Sequence, residues 1–356
     1  MQKQKRILIC PLDWGLGHAT RCIPIIRLLL AKNAEMIVAA DAGPLALLKK
    51  EFPQLTFVQL KGYNIKYPKS GSMKMKMLLS IPKIVNGIKE EHETLDEIIN
   101  KHKIDIVISD NRYGCWNKKV KSIFITHQLM IKAPFGESVL HKKVLKYIDN
   151  YDECWVPDIA GSVNLSGDLA HKYALPKNTF FVGALSRFFA SVEMTKKGEL
   201  TNIVAIISGP EPQRTIFEKL VLEQLKQTEL KALVVCGKAE EKQKSETIKN
   251  ITIASHLSSE EMQNAIQNAD IILSRSGYST VMDLASLSKK AIFIPTPGQT
   301  EQEYLAKMFM QKGIVFSQTQ DKFDLQKALT ASKDYKGFEI IKPGNELEKR
   351  IDLLLL

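Results

Sequence analysis

Residues 270–306 constrain the fold of this chain more than any other segment does. An apolar run, Ile271–Leu273, leads into a small-residue turn at Ser276 and Gly277, after which a helix is predicted. A second apolar run, Ala291–Pro295, repeats this order and leads through a polar loop into another predicted helix. Two strand–turn–helix units in succession are typical of a parallel sheet whose turns share one edge.

These two turns offer different chemistry. The first helix begins with free backbone N–H groups and the positive end of its dipole, with the hydroxyls of Ser279 and Thr280 in its first turn, which suits a phosphate. The second turn places Gln302 and Glu303 where their side chains can bind hydroxyl groups. A diphosphate beside a polyol is the composition of a nucleotide sugar, and we expect such a ligand.

The whole chain repeats this alternation of short apolar runs and amphipathic stretches, and its 356 residues exceed what one typical core supports. We therefore predict an α/β protein of two Rossmann-like domains, each with a doubly wound parallel sheet, that face each other across a cleft. The predicted domains are residues 1–185 and residues 201–356. Residues 186–200 lack a clear strand and contain a polar run, so we assign them as the linker.

The composition narrows the class of protein further. No stretch is long and apolar enough for a transmembrane helix, and the run behind the basic start, Ile7–Leu12, is shorter than the core of a signal peptide. The five cysteines are odd in number and show no CxxC spacing, so neither a zinc site nor a disulfide framework is predicted. We expect a cytoplasmic protein.

The charge of the chain indicates anionic partners. The formal net charge is +11, and most of the excess lies in the first half, which favours phospholipid head groups or a lipid diphosphate over a nucleic acid, because no recognition helix or RNA-binding signature is present. Residues 61–89 combine lysines with methionines and leucines, which predicts peripheral contact with the inner face of the plasma membrane. Solvated lysines and a helix packed on the domain are the alternative explanation.

The first predicted strand also ends in a turn with functional residue types. Gly15 and Gly17 permit close backbone approach, and His18 follows in the first turn of the next helix. A neutral imidazole at the mouth of the cleft is suited to remove a proton from a hydroxyl, and a helix-capping histidine is the alternative. Asp13 is interpreted as a turn residue that bonds its own backbone. The turn is not a dinucleotide fingerprint, because Thr20 replaces the third glycine.

Polar residues after other predicted strands are further candidates for the cleft. Asp110 follows the run Ile104–Ser109 and His127 follows Ser122–Thr126, although exposure at a strand end explains both equally well. In the second half, the loop Ser208–Arg214 forms a predicted wall of the nucleotide pocket.

Asp283 lies one turn into the helix that Gly277 opens, where a carboxylate either accepts from ribose hydroxyls or only stabilises the helix start. No group of Asp, Glu and His residues shows metal-ligand spacing. We therefore expect no metal and no cofactor, with the nucleotide sugar acting as a co-substrate.

Taken together, these residues resemble the nucleotide-sugar glycosyltransferases of the GT-B fold, in particular glycosyltransferase family 28, which includes the peptidoglycan lipid-intermediate GlcNAc transferase. The resemblance covers most of the chain in layout. It is specific in two places, which are Gly15-x-Gly17-His18 with Arg21, and Ser274-Arg-Ser-Gly277 with Thr280, Asp283 and Gln302. Glu303 stands where the family has a second glutamine, so the donor sugar stays open.

The resemblance implies an inverting, metal-independent transfer of a hexose or N-acetylhexosamine from a uridine-diphosphate sugar to an acceptor hydroxyl, with His18 as general base. Its expected acceptor is lipid-linked or a glycan. The residues expected to bind the acceptor are Gly15, Gly17, Arg21, Asp110 and His127. The residues expected to bind the donor are Ser208, Arg214, Arg275, Gly277, Ser279, Thr280, Asp283, Gln302 and Glu303.

Two alternatives stay open at this point. A sugar-nucleotide hydrolase family of similar fold shares the GxGHxxR turn, and in that family the histidine activates water. A binding protein that holds a nucleotide sugar without turnover is the other alternative.

Overall fold

The structure is a computed structural model that describes residues 4–63, 73–132, 136–189, 200–239 and 242–356, with the side chains of residues 73–81 left out of the description. Two seven-stranded sheets organise these residues, one in each half of the chain. The predicted class, two α/β domains of the Rossmann type, is confirmed by this layout. The predicted domain limits stay a prediction, because residues 190–199 of the linker lie outside the described residues.

The first sheet is parallel and has the strand order β3-β2-β1-β4-β5-β6-β7. Its strands are β1 (Arg6–Pro11), β2 (Glu35–Ala40), β3 (Thr56–Gln59), β4 (Ile106–Asp110), β5 (Lys121–Ile125), β6 (Glu153–Val156) and β7 (Thr179–Phe181). The helices of this half are α1 (Gly17–Ala31), α2 (Ala42–Glu51), α3 (Met73–His102), α4 (Glu137–Ile148) and α5 (Asp168–His171).

The second sheet has the order β10-β11-β9-β8-β12-β13-β14 and departs from the prediction at both edges. Its strands are β8 (Thr201–Ile206), β9 (Ala232–Val235), β10 (Ser245–Ile248), β11 (Ile251–Ala254), β12 (Ala269–Ser274), β13 (Ala291–Phe293) and β14 (Phe316–Ser317). Its helices are α6 (Gln213–Leu225), α7 (Ser259–Gln267), α8 (Tyr278–Ser286), α9 (Thr300–Gln311), α10 (Leu325–Ala331) and α11 (Glu346–Leu355). The edge strand β10 runs antiparallel to β11, whereas the prediction was a parallel sheet.

The central strands bring the functional turns to one edge of each sheet. In β1, Ile7–Cys10 are fully buried, as expected for a parallel strand covered on both faces. The register pairs Pro11 with Asp110, so β1 and β4 end side by side. In the second sheet, Ser274 pairs with both Ile206 and Phe293, which aligns the ends of β8, β12 and β13.

The last helix, α11, packs against α1 of the first half. Lys32 Nζ lies 3.0 Å from Glu348 Oε1 and 2.6 Å from Asp352 Oδ1. Ile351 is fully buried. The residues of α11 were predicted to belong to the second domain, and their contact with the first half was not predicted.

The membrane patch predicted at residues 61–89 lies largely outside the described part of the chain. Residues 64–72 are not described, and for residues 73–81 only the helical backbone of α3 is. Among the residues that are described, no helix has the length and apolar character needed to cross a bilayer.

Candidate active site

Three side chains from two neighbouring strand ends meet behind the first turn. His18 and Arg21 project from the start of α1, and Asp110 ends β4. Arg21 Nε donates to Asp110 Oδ2 at 2.6 Å, and Arg21 Nη2 donates to Asp110 Oδ1. His18 Nδ1 lies 3.1 Å from Asp110 Oδ1 and 2.9 Å from Arg21 Nη2. Residues that the sequence analysis named separately therefore form one cluster.

Burial and pairing set the protonation states in this cluster. Asp110 is fully buried, and burial alone would raise its pKa, but Arg21 and His18 hold the pKa of Asp110 well below its usual range. Burial and the adjacent Arg21 cation lower the pKa of His18, against the opposing effect of Asp110. We therefore expect an ionised Asp110 and a neutral His18 at neutral pH.

A second histidine continues the cluster toward the other half of the chain. Arg21 Nη1 lies 2.9 Å from His127 Nδ1. Because arginine only donates, this nitrogen of His127 is assigned as the acceptor, and Nε2 carries the hydrogen. His127 Nε2 lies 3.0 Å from Glu301 Oε1, and Gln128 also donates to the Glu301 carboxylate. Glu301 thus joins the two halves, a role that the sequence analysis missed.

The turn after β12 lies against this cluster. Gly277 caps α8, and a Cβ built there would meet no atom within 4 Å, so the helix start is open. Tyr278 stacks on His127 with ring centroids 4.2 Å apart. Ser279 Oγ donates to the carbonyl oxygen of Gly17 at 2.7 Å. The structure therefore brings the first turns of α1 and α8 into direct contact.

Arg275, one of the residues expected to bind the donor, does not face the cleft. Its side chain is fully buried beneath the turn. The guanidinium donates to three backbone carbonyl oxygens, those of Gln213, Ile294 and Pro295. Burial lowers the pKa of Arg275 to about 9. Because both terminal nitrogens donate to these carbonyls, Arg275 ties strand-end loops together instead of facing the cleft.

Asp283 is engaged by the segment that follows β7. Its Oδ1 accepts from Ser186 Oγ at 2.8 Å, and its Oδ2 lies 3.3 Å from Arg187 Nε. Burial raises the pKa of Asp283, and Arg187 opposes that rise. The carboxylate predicted to bind ribose is therefore buried against the crossover between the halves. Its ribose contact stays a prediction.

Gln302 and Glu303, the predicted sugar-binding pair, both have backbone partners. Gln302 Oε1 accepts from the N–H of Thr296 at 2.8 Å, and Glu303 Oε1 accepts from the N–H of Gly298 at 2.7 Å. Both side chains therefore close the loop before α9. Of the three consecutive residues, it is Glu301 that reaches the first half of the chain.

The remaining donor-side candidates line the ends of β8 and β12. Arg214 Nε donates to Glu211 Oε1 at 3.0 Å, and Arg214 Nη1 donates to the carbonyl oxygen of Cys236 at 3.2 Å. Ser208 and Thr280 are half-buried. Arg214 is thus paired with a carboxylate in the loop that was predicted to form a wall of the nucleotide pocket.

Within the described ranges, no group of three or more histidine, cysteine, aspartate or glutamate side chains is arranged to hold a metal ion. The five cysteines are free and buried. Independence from a metal stays a prediction about the reaction.

The second half of the chain matches a family model, and most of the chain matches known relatives. Residues 204–339 match the glycosyltransferase family 28 C-terminal domain. The chain is 25% identical over 343 residues to the UDP-N-acetylglucosamine–N-acetylmuramyl-(pentapeptide) pyrophosphoryl-undecaprenol N-acetylglucosamine transferase of Thermoanaerobacter sp. (strain X514). The match covers 90% of this chain and 86% of that protein.

Solved structures share the fold over nearly the whole length. SnogD, a glycosyltransferase from Streptomyces nogalater, superposes with a TM-score of 0.60 at 12% identity, covering 99% of this chain and 100% of that one. MurG of Acinetobacter baumannii superposes with a TM-score of 0.56 at 13% identity, covering 98% and 99%.

Fold and comparisons together define the protein as a glycosyltransferase of the GT-B fold. The two facing Rossmann-type halves and the contact between the turns of α1 and α8 agree with that class. More narrowly, residues 204–339 match the C-terminal domain of glycosyltransferase family 28, the family that the sequence resembles.

Proposed function

We propose that this glycosyltransferase moves a sugar from a uridine-diphosphate sugar to an acceptor hydroxyl, with inversion at the anomeric carbon and without a metal ion. The match to the family 28 domain supports the assignment of this donor. So does the Thermoanaerobacter relative, whose name specifies UDP-N-acetylglucosamine. One observation supports the chemistry most. The pair of His18 and Asp110 lies next to the contact between Gly17 and Ser279, which joins the two helix starts.

His18 is the general base in this proposal. The ionised Asp110 accepts from Nδ1–H of His18, which leaves a lone pair on Nε2 for the acceptor proton. Among the described residues, none hydrogen-bonds to that Nε2. In the other tautomer Nδ1 would accept from Arg21, and Nε2 would already hold a hydrogen. The low pKa of Asp110 favours the first tautomer, because an ionised carboxylate attracts the N–H.

The transfer then proceeds as an in-line displacement. The acceptor oxygen attacks the anomeric carbon while its proton passes to His18 Nε2, and the bond from that carbon to the diphosphate oxygen breaks. Negative charge grows on the leaving diphosphate, which we place at the open start of α8. Backbone N–H groups and the helix dipole stabilise it there. A phosphate would replace the Gly17 carbonyl as the partner of Ser279 Oγ.

The substrates are proposed at the level of chemical class. The donor sugar is a hexose or N-acetylhexosamine, and the acceptor is lipid-linked or a glycan. The name of the Thermoanaerobacter relative, with its undecaprenol-linked acceptor, supports a lipid-linked one. We place the reaction in the cytoplasm, at the inner face of the plasma membrane when the acceptor is a lipid. Contact of residues 61–89 with that membrane rests on sequence alone.

Replacement of His18 by Ala tests the general base. A positioned general base contributes roughly 10²–10⁴-fold, so we expect kcat to fall by about that factor. The donor KM should change little, since His18 lies on the acceptor side. The measurement is release of UDP from UDP-N-acetylglucosamine and other uridine-diphosphate sugars, with an acceptor panel of glycans and prenyl-linked sugars.

The matched control is His102→Ala, because His102 lies at the far end of α3. We expect its rate to equal that of the unmodified protein. An unchanged rate for His18→Ala would remove His18 from the mechanism. Release of UDP at full rate without any acceptor would favour the hydrolase alternative, and binding without turnover across the panel would favour the binding protein.

A further inference from the structure

Within the part of the chain that the structure describes, three polar side-chain atoms at the carboxyl end of the first sheet are buried without a hydrogen-bond partner. They are Asp13 Oδ1, Trp14 Nε1 and Asn111 Oδ1. The great majority of buried polar atoms in folded proteins are hydrogen-bonded, so three such atoms near one edge need an explanation. The turn interpretation of Asp13 does not supply one, because its carboxylate does not bond its own backbone in the structure.

All three residues lie beside the proposed catalytic pair. Asp13 and Trp14 follow β1, and Asn111 follows β4 directly after Asp110. The two strands are neighbours in the sheet, and the N–H of Leu12 donates to the carbonyl oxygen of Asp110 at 3.0 Å. A ligand bound to these atoms therefore lies next to His18, whose Nδ1 is 3.1 Å from Asp110 Oδ1.

The backbone lies close to these residues and adopts unusual conformations around them. A Cβ at Gly62 would lie 1.9 Å from Asp13 Oδ2, so only glycine permits this position of the carboxylate. Gly15 closes the turn at a φ of 97°, with its N–H donating to the carbonyl oxygen of Asp13 at 2.8 Å. Asn111 has a φ of 56°, a left-handed conformation in which non-glycine residues are uncommon and which concentrates at functional sites.

An aromatic wall stands beside the same atoms. The ring of Trp14 meets the ring of Tyr63 edge to face, with centroids 6.2 Å apart. Tyr63 is itself fixed, because its hydroxyl donates to Glu91 Oε2 at 2.9 Å. A rigid aromatic face with an indole N–H beside it can pack on an apolar face of a sugar ring and also donate a hydrogen bond.

The charges at this edge discriminate between ligands. The two buried arginines nearby are each neutralised by a carboxylate, Arg21 by Asp110 and Arg112 by Glu91 at 3.0 Å. The Asp13 carboxylate and the Asn111 amide oxygen only accept hydrogen bonds, so they favour hydroxyl donors. A phosphate carries no such donors and is repelled by the Asp13 charge.

We propose that Asp13, Trp14 and Asn111 form the acceptor subsite, and that the portion bound there is an uncharged sugar, not a phosphate. The assignment of this sugar as the acceptor rests on the proposed function. Asp13 and Asn111 receive hydrogen bonds from its hydroxyls, and Trp14 donates one and packs on the ring. A lipid-linked acceptor would then present its sugar to these residues and keep its phosphates elsewhere.

Calorimetric titration of the full chain with a panel of neutral methyl glycosides tests the subsite. We expect Asp13→Asn, which keeps the size of the side chain, to weaken glycoside binding by about tenfold, as loss of a charged hydrogen-bond acceptor does. Trp14→Phe, which keeps a ring but lacks the N–H, should weaken it by a smaller factor. The control is Asp149→Asn, the same change at an exposed acid of the same half, and it should leave binding unchanged.

Two results would overturn the subsite. One is glycoside binding that neither Asp13→Asn nor Trp14→Phe alters. The other is tighter binding of a prenyl monophosphate than of any glycoside in the panel, with Asp13→Asn strengthening it further.

Steady-state kinetics separate this inference from the proposed function. We expect Asp13→Asn to raise the acceptor KM and leave the donor KM unchanged. We expect His18→Ala to lower kcat by roughly 10²–10⁴-fold while glycosides still bind. Glycoside binding that depends on Asp13, without transfer from any uridine-diphosphate sugar, would support the subsite and contradict the proposed function. Normal transfer with an unchanged acceptor KM in Asp13→Asn would contradict the subsite alone.

Discussion

The turns after β1 and β12 have the same local construction but carry opposite chemistry. Each joins a buried parallel strand to a helix through a glycine, and the two helix starts touch at Gly17 and Ser279. The first turn is backed by the charged cluster of His18, Arg21 and Asp110. The second is an open, uncharged helix start. The first is therefore suited to move a proton, and the second to hold an anion.

The difference comes from the strand that lies next to each turn. Beside β1, the end of β4 supplies the carboxylate of Asp110, which raises the pKa of Arg21 although burial opposes this rise. Beside β12, the neighbouring strand ends offer Arg275 only carbonyl and amide oxygens, and burial lowers its pKa. The two buried arginines near these turns, Arg21 and Arg275, thus have opposite electrostatic surroundings.

Replacing each arginine by Met is expected to give the largest contrast. Arg21→Met leaves the buried Asp110 charge uncompensated, so we expect the free energy of unfolding to fall by about 3–5 kcal/mol. Arg275→Met leaves four neutral oxygens without this donor, but it also removes a buried charge that has no carboxylate partner, so the net loss should be smaller, about 1–3 kcal/mol. Urea unfolding of both variants measures the difference. Equal losses would show that Asp110 is not a buried charge in the folded protein.

The pH dependence of transfer tests the charged cluster directly. Because burial and Arg21 lower the pKa of His18, the imidazole stays neutral to a more acidic pH than its ordinary pKa of 6.5. Activity should fall only as the pH drops below 6.5, through that lowered pKa. Asp110 raises the pKa of His18, so Asp110→Asn should move this acidic limb to still lower pH. The profile of kcat/KM against pH measures this shift of the acidic limb. An acidic limb above pH 6.5 would contradict the assignment of His18 as the general base.

A smaller effect is expected from alanine at the two glycines. Gly277→Ala meets no atom within 4 Å, so its cost in stability should stay below about 1 kcal/mol. The added methyl group occupies the space we assign to the diphosphate, which should raise the donor KM by about tenfold. In Gly17→Ala the methyl carbon would lie 3.0 Å from Ser279 Oγ, and we expect a few-fold rise in both substrate KM values. If the donor KM rose more in Gly17→Ala than in Gly277→Ala, the assignment of the two turns would be reversed.

Most of the fold could be predicted because the buried strands carry unmistakable apolar runs. The two-domain α/β class and the positions of the central strands along the chain follow from runs such as Arg6–Pro11 and Ala291–Pro295. The edge strands β10 and β14 were missed. All four residues of β10 are exposed, and β14 has only two residues, so neither leaves an apolar pattern. The contact of α11 with α1 joins residues more than 300 positions apart, which local patterning does not record.

The candidate site was predictable residue by residue but not as an arrangement. His18, Arg21, Asp110 and His127 were each named, yet their mutual bonds depend on the register of β1 and β4 and on burial. Glu301 was not predicted, because the resemblance assigns donor binding to the next two residues, Gln302 and Glu303. The direction in which α9 presents each side chain decides which one faces the first half, and that direction depends on tertiary packing. The unpartnered atoms of Trp14 and Asn111 leave no trace in the sequence at all.

The return of α11 to the first half bears on how this enzyme can be recombined with its relatives. Arg350 of that helix donates to Glu153 at 3.1 Å and lies 3.9 Å from the ring of Phe180, both in the first half. A chimera that exchanges donor halves at a single junction would also exchange this helix and lose those contacts. Two junctions, near residues 200 and 344, would transplant the second sheet alone and leave the chain's last helix with its native partners.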